Sequence, residues 1–234
     1  RLLEFTLEPV DPDGLLQPPK SWWLFVDWNK DLDRQAPEHA IVLFGLRATQ
    51  ELAQRLGREA DVPFLASAIA RMEAAARDKL WDKDLGLFVS GPSRQISWAS
   101  QAWMVLAGVP SAEDARAAMR SVMKHAAAQK PVTPYMHHFV VEALLKAGLR
   151  TEAFSHLHNY WGAMIDRGAD TFWEVWVPEN ELESPYQCAM INSYCHAWSC
   201  TPAYFLRTVA PAAGGAGFNV RRKFTTKAPN PSEK

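Results

Sequence analysis

No run of apolar residues in this chain approaches the ~20 needed to cross a bilayer, which argues against a membrane-spanning protein. Arg1–Glu8 has no long apolar stretch behind its charge, so no signal peptide is read there. Charge of one sign is missing too: 25 basic and 26 acidic side chains leave a net −1. No basic stripe is visible, which disfavours nucleic acid as a partner. Cysteine is scarce and odd in number; Cys188, Cys195 and Cys200 lack the tight paired spacings of a zinc site. They are expected as buried or neutral thiols, no metal site is apparent, and the compartment stays open. Against these absences stands a 48% hydrophobic composition over 234 residues, enough to bury one substantial core or two small ones.

The chain is uneven along its length. Residues 1–20 hold Pro9, Pro12, Pro18, Pro19 and Gly14 and read as an extended connector. Residues 210–234 run through Gly214, Gly215 and Gly217 to a basic end and read as a flexible or truncated tail. Between them, 21–209 form one helical domain. Helices are expected at Pro37–Leu56, Phe64–Trp81, Ile96–Ala107, Ser111–Ala127, Pro134–Ala147, Thr151–Asp166 and Ser193–Leu206, the last bent or broken at Pro202. Trp81–Gly91 is too rich in Gly and Asp for helix and reads as a short hairpin. Gly57, Gly108 and Gly148 serve as stops.

Three of these helices share a signature. A small polar cap is followed at once by an aromatic: Ser97-Trp98, Thr133-Pro134-Tyr135 and Ser193-Tyr194. The first two caps lie one helical hairpin apart. Repeated helical hairpins make either a solenoid or an α/α toroid. A solenoid calls for a tighter consensus repeat than this chain shows, so the toroid is favoured. There, the loops entering the inner helices gather at one end and line a pocket.

The segment Gly168–Pro178, GADTFWEVWVP, sets one acid, Glu174, among Phe172, Trp173, Val175 and Trp176. An acid among such neighbours is costly to leave ionised without a use or a partner. Carbohydrate-cleaving enzymes hold a catalytic acid or base in this way. The run Asn192–Pro202 adds a histidine, a tryptophan and several hydroxyls to the same wall. The bland reading is a structural acid bonded to loop amides.

Five motifs in unbroken order, WWLFVDWN (Trp22–Asn29), Ser93–Gly108, TPYMHHFVVEALL (Thr133–Leu145), GADTFWEVW and NSYCHAWSCTPAYFL (Asn192–Leu206), resemble the six-hairpin α-L-rhamnosidases over roughly residues 20–208. The resemblance implies an all-α (α/α)6 toroid and inverting hydrolysis of terminal α-L-rhamnosyl residues. It makes Glu174 of Thr171–Glu174 the general base and His196 a pocket histidine, and it sets Trp28 against the sugar. Inversion by two carboxylates roughly 6.5–9.5 Å apart needs no cofactor. Trp28, Trp173 and Trp176 would offer faces to the sugar, Asp27 and His196 hydrogen bonds, and Tyr135 lies beside them.

One departure matters as much as the match. The family's general acid lies in an Arg-Asp-Glu-Arg-like motif upstream, and this chain has none. About seven of twelve helices are present, so the chain corresponds to the C-terminal half of the toroid. Its apolar edge would be closed by the missing N-terminal half or by a second copy. The alternative function is a degenerate or non-catalytic sugar-binding domain; a helical repeat module binding protein is the third reading.

Among the remaining candidates, Trp103 and Trp161 read as core. His156 and His158 diverge on their helix and do not chelate together. His137 and His138 also diverge, with one facing the pocket beside Tyr135. The acidic loop Glu179–Glu183 reads as solvated, and Asp27 has a rival role as a cap.

Overall fold

The computed structural model describes residues 2–19, 21 and 24–209. The expected tail at 210–234 lies outside the described residues. Residues up to Thr201 form one compact unit, and Pro202 begins a second.

The stretch expected as an extended connector is the first correction, over its described residues 2–19. Leu2–Leu7 form a short helix, α1, and Val10 bridges Leu16 in an antiparallel turn. The Leu16 side chain is fully buried. Its N–H donates to His39 Nδ1 at 3.1 Å, while His39 Nε2 lies 3.0 Å from the Met72 carbonyl. Gly14 takes φ +90°, and a Cβ there would sit 2.6 Å from the Arg71 carbonyl oxygen. The proline-rich composition hid a docked segment because the anchoring comes from one leucine and one glycine. Periodicity does not report either.

Three helical hairpins follow. The first pairs α2 (Gln35–Leu56) with α3 (Leu65–Ala75), the second α4 (Trp98–Ala107) with α5 (Ala112–Val122), and the third α6 (Pro134–Lys146) with α7 (Arg150–Asp166). α2 packs on α4 and α4 on α6, while α3, α5 and α7 each pack on the helix before them. An inner row of α2, α4 and α6 therefore carries an outer row of α3, α5 and α7. That is the layering of an α/α toroid, with three of six hairpins complete among the described residues. Burial agrees, for every residue of α4 is buried, as suits a helix enclosed on both sides.

Local chemistry sets the ends. Ser97 and Thr133 accept from the N–H groups of Ser100 and Met136, and Ser111 caps α5 through Asp114. Gly57 and Gly108 close their helices in the left-handed region, where a Cβ would be strained. α3 runs into a π-helical turn over Ala76–Leu80, and the expected hairpin is the antiparallel pair β1 (Trp81–Asp82) and β2 (Leu87–Phe88).

The seventh helix is the second correction. Residues 193–200 are not an α-helix; a 3-10 turn spans Ala197–Ser199, and α8 covers Thr201–Thr208. Ser193 is no cap. Its backbone N–H and C=O are engaged by the Glu174 segment, which leaves them unavailable to a helical turn. Pro202 does not break α8, because it falls in the first turn, where its missing N–H costs nothing.

Candidate functional site

Two irregular segments meet at the site, 171–176 and 193–199, laced backbone to backbone. The Glu174 N–H donates to the Ser193 carbonyl at 2.8 Å and the His196 N–H to that of Phe172 at 2.9 Å. The Thr171 hydroxyl donates to the Tyr194 carbonyl, and Ser199 Oγ donates to that of Trp173 at 2.6 Å. Trp198 Nε1 reaches the Glu174 carbonyl at 3.3 Å. The Trp176 N–H donates to Val132 at 3.1 Å, which ties this wall to the entry of α6.

Glu174 is 4% exposed, and its carboxylate is served by several donors. Tyr186 donates its phenol hydrogen to Oε1 at 2.8 Å, and Trp28 Nε1–H points at the same oxygen from 3.3 Å. The Ser193 N–H donates to Oε2 at 3.1 Å, and His196 Nδ1 stands 4.0 Å from Oε2. Three donors from separate segments thus converge on one buried carboxylate.

Beside it stands an aromatic cluster. Phe25 stacks on Trp198 at 5.3 Å between ring centres and meets Trp28 edge-on at 5.0 Å. Tyr135 lies 5.2 Å from Phe25 and 5.5 Å from Trp198, and the His196 ring is 4.3 Å from Trp198. Glu174, Trp28, His196 and Tyr135 are thus brought together. Apolar ring faces beside a carboxylate and an imidazole suit a ligand with C–H surfaces and hydroxyls, such as a sugar.

Two expected contacts are corrected. Asp27 spends its oxygens on the protein itself. It accepts from the N–H groups of Val132 at 2.9 Å, Thr133 at 3.1 Å and Asn29 at 3.3 Å, and from the Thr133 hydroxyl. It fastens the Trp28 segment to the start of α6. Burial pushes its carboxyl up to about 6, with the Thr133 hydroxyl and the backbone donors pulling the other way. Trp176 is 3% exposed, with the Trp173 ring against it at 5.3 Å and the Arg167 guanidinium over it at 5.7 Å. It is core and offers no open face. Trp173 remains partly exposed, packed against Trp176 and Tyr194.

The other candidates fall as follows. Trp103 and Trp161 are core, at 5% and 1% exposure. His137 turns inward rather than toward Tyr135. Its Nδ1 lies 2.9 Å from His156 Nε2, and its ring lies 3.6 Å from that of Tyr160. Burial lowers both histidines, His156 to about 4. His158 is exposed. The cysteines are free thiols, but Cys195 and Cys200 are exposed rather than buried. In the acidic loop, Glu179 pairs with Lys130 at 3.3 Å and Glu181 with Arg167. No cluster of three or more metal-ligating side chains occurs among the described residues, and no described helix is long and apolar enough to cross a membrane.

Sequence reasoning missed Phe25 and Tyr186 and passed over Trp198 as one residue of a run. Phe25 sits in the same motif as Trp28, which is a signal that it shares the wall. Tyr186 had none, since it arrives from a loop with no periodicity.

Fold and site together define a domain of α/α hairpins with a donor-held carboxylate in an aromatic wall. The family model of the bacterial alpha-L-rhamnosidase six-hairpin glycosidase domain matches residues 11–209, and the chain belongs to that family of glycoside hydrolases. Among solved structures, it is similar to a rhamnosidase from Klebsiella oxytoca with rhamnose bound. The TM-score is 0.83 at 43% identity, over 88% of this chain and 40% of that one. A GH78 family rhamnosidase of Bacillus sp. GL1 gives a TM-score of 0.76 at 25% identity, over 89% and 23% of the two chains. The chain spans less than half the length of either. A search of curated proteins returns no match.

Proposed function

We propose that this chain supplies the general-base half of an inverting α-L-rhamnosidase, with Glu174 as the base. The observation that carries the reading is the donor-held carboxylate of Glu174 beside the Phe25, Trp28, Tyr135 and Trp198 rings. Kinship with two rhamnosidases, one with rhamnose bound, supports the choice of sugar.

In an inverting reaction the base takes a proton from water as that water attacks the anomeric carbon, while a separate acid protonates the leaving oxygen. Glu174 suits the first of these roles, being buried, supplied with donors and flanked by rings that keep bulk water away. Trp28 and Tyr135 would pack on the sugar, Trp173 would extend the wall, and His196 would hydrogen-bond a hydroxyl. Asp27 is committed to the start of α6, so it is not the acid. The acid would come from the remaining hairpins of the toroid. α2 supports this, for Phe44, Leu52 and Leu56 lie along one side of it at 42%, 56% and 62% exposure. Such a row suits a helix meant to be covered, by the missing N-terminal half or by another copy.

The test is release of chromophore from an aryl α-L-rhamnoside by the protein carrying this chain, beside its Glu174→Gln variant. The variant keeps the shape of the side chain and loses its charge. Its turnover should drop about a thousandfold, with sugar affinity nearly unchanged. Equal turnover in both forms would remove Glu174 from the reaction. Sugar binding without turnover in either form would support the binding-domain reading instead.

A further inference from the structure

The loop between the two laced segments, residues 177–192, contributes more than a connection. Ser184 is 6% and Asn192 8% exposed. Ser184 Oγ lies 2.7 Å from Asn192 Oδ1, and Asn192 Nδ2 donates to the Glu183 carbonyl at 2.8 Å. The Tyr186 N–H donates to Ser184 Oγ at 3.1 Å. Gln187 takes the left-handed conformation at φ +61°, which a residue with a Cβ rarely adopts. The loop is thereby drawn shut at its base, with Tyr186 turned inward. Although 43% of Tyr186 is exposed, its hydroxyl reaches the buried carboxylate at 2.8 Å. Its ring meets that of Trp28 edge-on at 6.1 Å.

We propose that Tyr186 is a positioning residue for Glu174: with Trp28 it occupies Oε1, so that Oε2 is the atom that accepts the proton from water. This rests on the reading of Glu174 as the base. A carboxylate oxygen has two in-plane acceptor positions. Tyr186 and Trp28 take those of Oε1, whereas Oε2 holds the Ser193 N–H and faces His196. The plane of the carboxylate is fixed by donors on both oxygens, and the phenol also stabilises its charge. The pairing acts on Tyr186 in turn, for the hydrogen bond to Glu174 raises the phenol above its ordinary value, with desolvation and the carboxylate charge adding to it.

Among the described residues, the ionisable groups facing the Glu174 carboxylate are Tyr186 from the loop and His196 from the 193–199 segment. Asp27 points its oxygens away, to Val132 and Thr133. Losing the phenol removes a donor to the charged form. The base then becomes harder to ionise, and the acidic limb of its pH–rate profile moves upward.

The experiment compares the parent protein with Tyr186→Phe and Glu174→Gln, using pH profiles of aryl α-L-rhamnoside hydrolysis. Tyrosine ring-carbon NMR titrations are run on the same samples. In Tyr186→Phe the acidic limb of kcat/KM should rise by about one pH unit. Its kcat should fall about tenfold, with KM changed far less. The Tyr186 phenol, assigned by its absence in Tyr186→Phe, should titrate above the ordinary value in the parent and lower in Glu174→Gln, whereas Tyr135 and Tyr160, raised by burial, should stay in place. A merely structural tyrosine would lower stability or raise KM and leave the limb in place; an unmoved limb, or an ordinary phenol in the parent, overturns the proposal. An inactive parent, or turnover undiminished in Glu174→Gln, overturns the reading of the base itself, whatever Tyr186 does.

Discussion

The hairpin frame and the wall that carries Glu174 are built by different means. In the frame, helices α2 to α7 hold together through apolar faces whose largest members, such as Trp161, Met72 and Met136, are almost wholly buried. In the wall, segments 171–176 and 193–199 hold together through backbone hydrogen bonds and single side chains. A frame of that kind depends on volume, and any residue of similar shape serves. The wall depends on individual donors and acceptors, so it tolerates exchange at few positions. Stability is therefore concentrated in one region and specific geometry in the other.

Substitutions can break that contrast at either end. Trp161, on α7, is 1% exposed and donates its indole N–H to the Ser199 carbonyl at 2.9 Å. Trp161→Ala should cost about 3–5 kcal/mol in chemical denaturation and weaken the wall as well as the frame. If only the frame depends on it, the sugar binding proposed above will survive wherever the variant remains folded.

Asp27→Asn tests the wall with little change of volume. Three backbone donors and a hydroxyl converge on the carboxylate, and an amide places an N–H₂ against some of them. The loss should be about 2 kcal/mol, with a smaller effect on the unfolding midpoint than Trp161→Ala. A loss as large as that of the core tryptophan would erase the distinction.

The smallest effect is on pH. Burial lowers His39 to about 4 and His156 to about 4, and lowers His137 as well. Between about 4 and the ordinary histidine value near 6.5, the unfolded chain binds these protons and the fold does not. Stability from the histidines is thus full above about 6.5 and is lost as pH falls toward 4. Asp27 acts in the opposite sense. Its carboxyl is raised to about 6, so through this group alone the fold gains stability as pH falls from about 6 toward the ordinary aspartate value. Burial lowers His138 as well, and raises Glu38 and Glu142 in the sense of Asp27; four histidines against three carboxyls give a net loss on acidification, measured as the denaturation midpoint across that range. In Asp27→Asn the acid loss should be steeper, since one opposing group is gone.

Legibility followed the same division. The frame was readable because burial repeats: Leu65, Ile69 and Met72 mark α3, and Ser97, Thr133, Gly57 and Gly108 mark helix ends. Glu174 was readable because an acid among aromatics is anomalous by itself. The segment around Ser193 was misread, since a serine before an aromatic looks like a cap until its amide is found on a carboxylate. Asp27 and Trp176 were placed in the pocket for their chemistry, and packing decided otherwise. Tyr186 stayed hidden because nothing local in the sequence says which way a loop folds back.

The Glu174 amide binds the Ser193 carbonyl, and the Ser193 amide binds the Glu174 carboxylate. That two-point clasp joins the ends of the intervening stretch and makes no demand on its length. The stretch is therefore free to be replaced during evolution while the acid stays seated. Tyr186 belongs to the replaceable part. Family members that keep the clasp and exchange the loop would retain the acid but meet it with a different donor, or with none. On the proposed reading of Glu174 as the base, the acidic limbs of their pH profiles would then diverge.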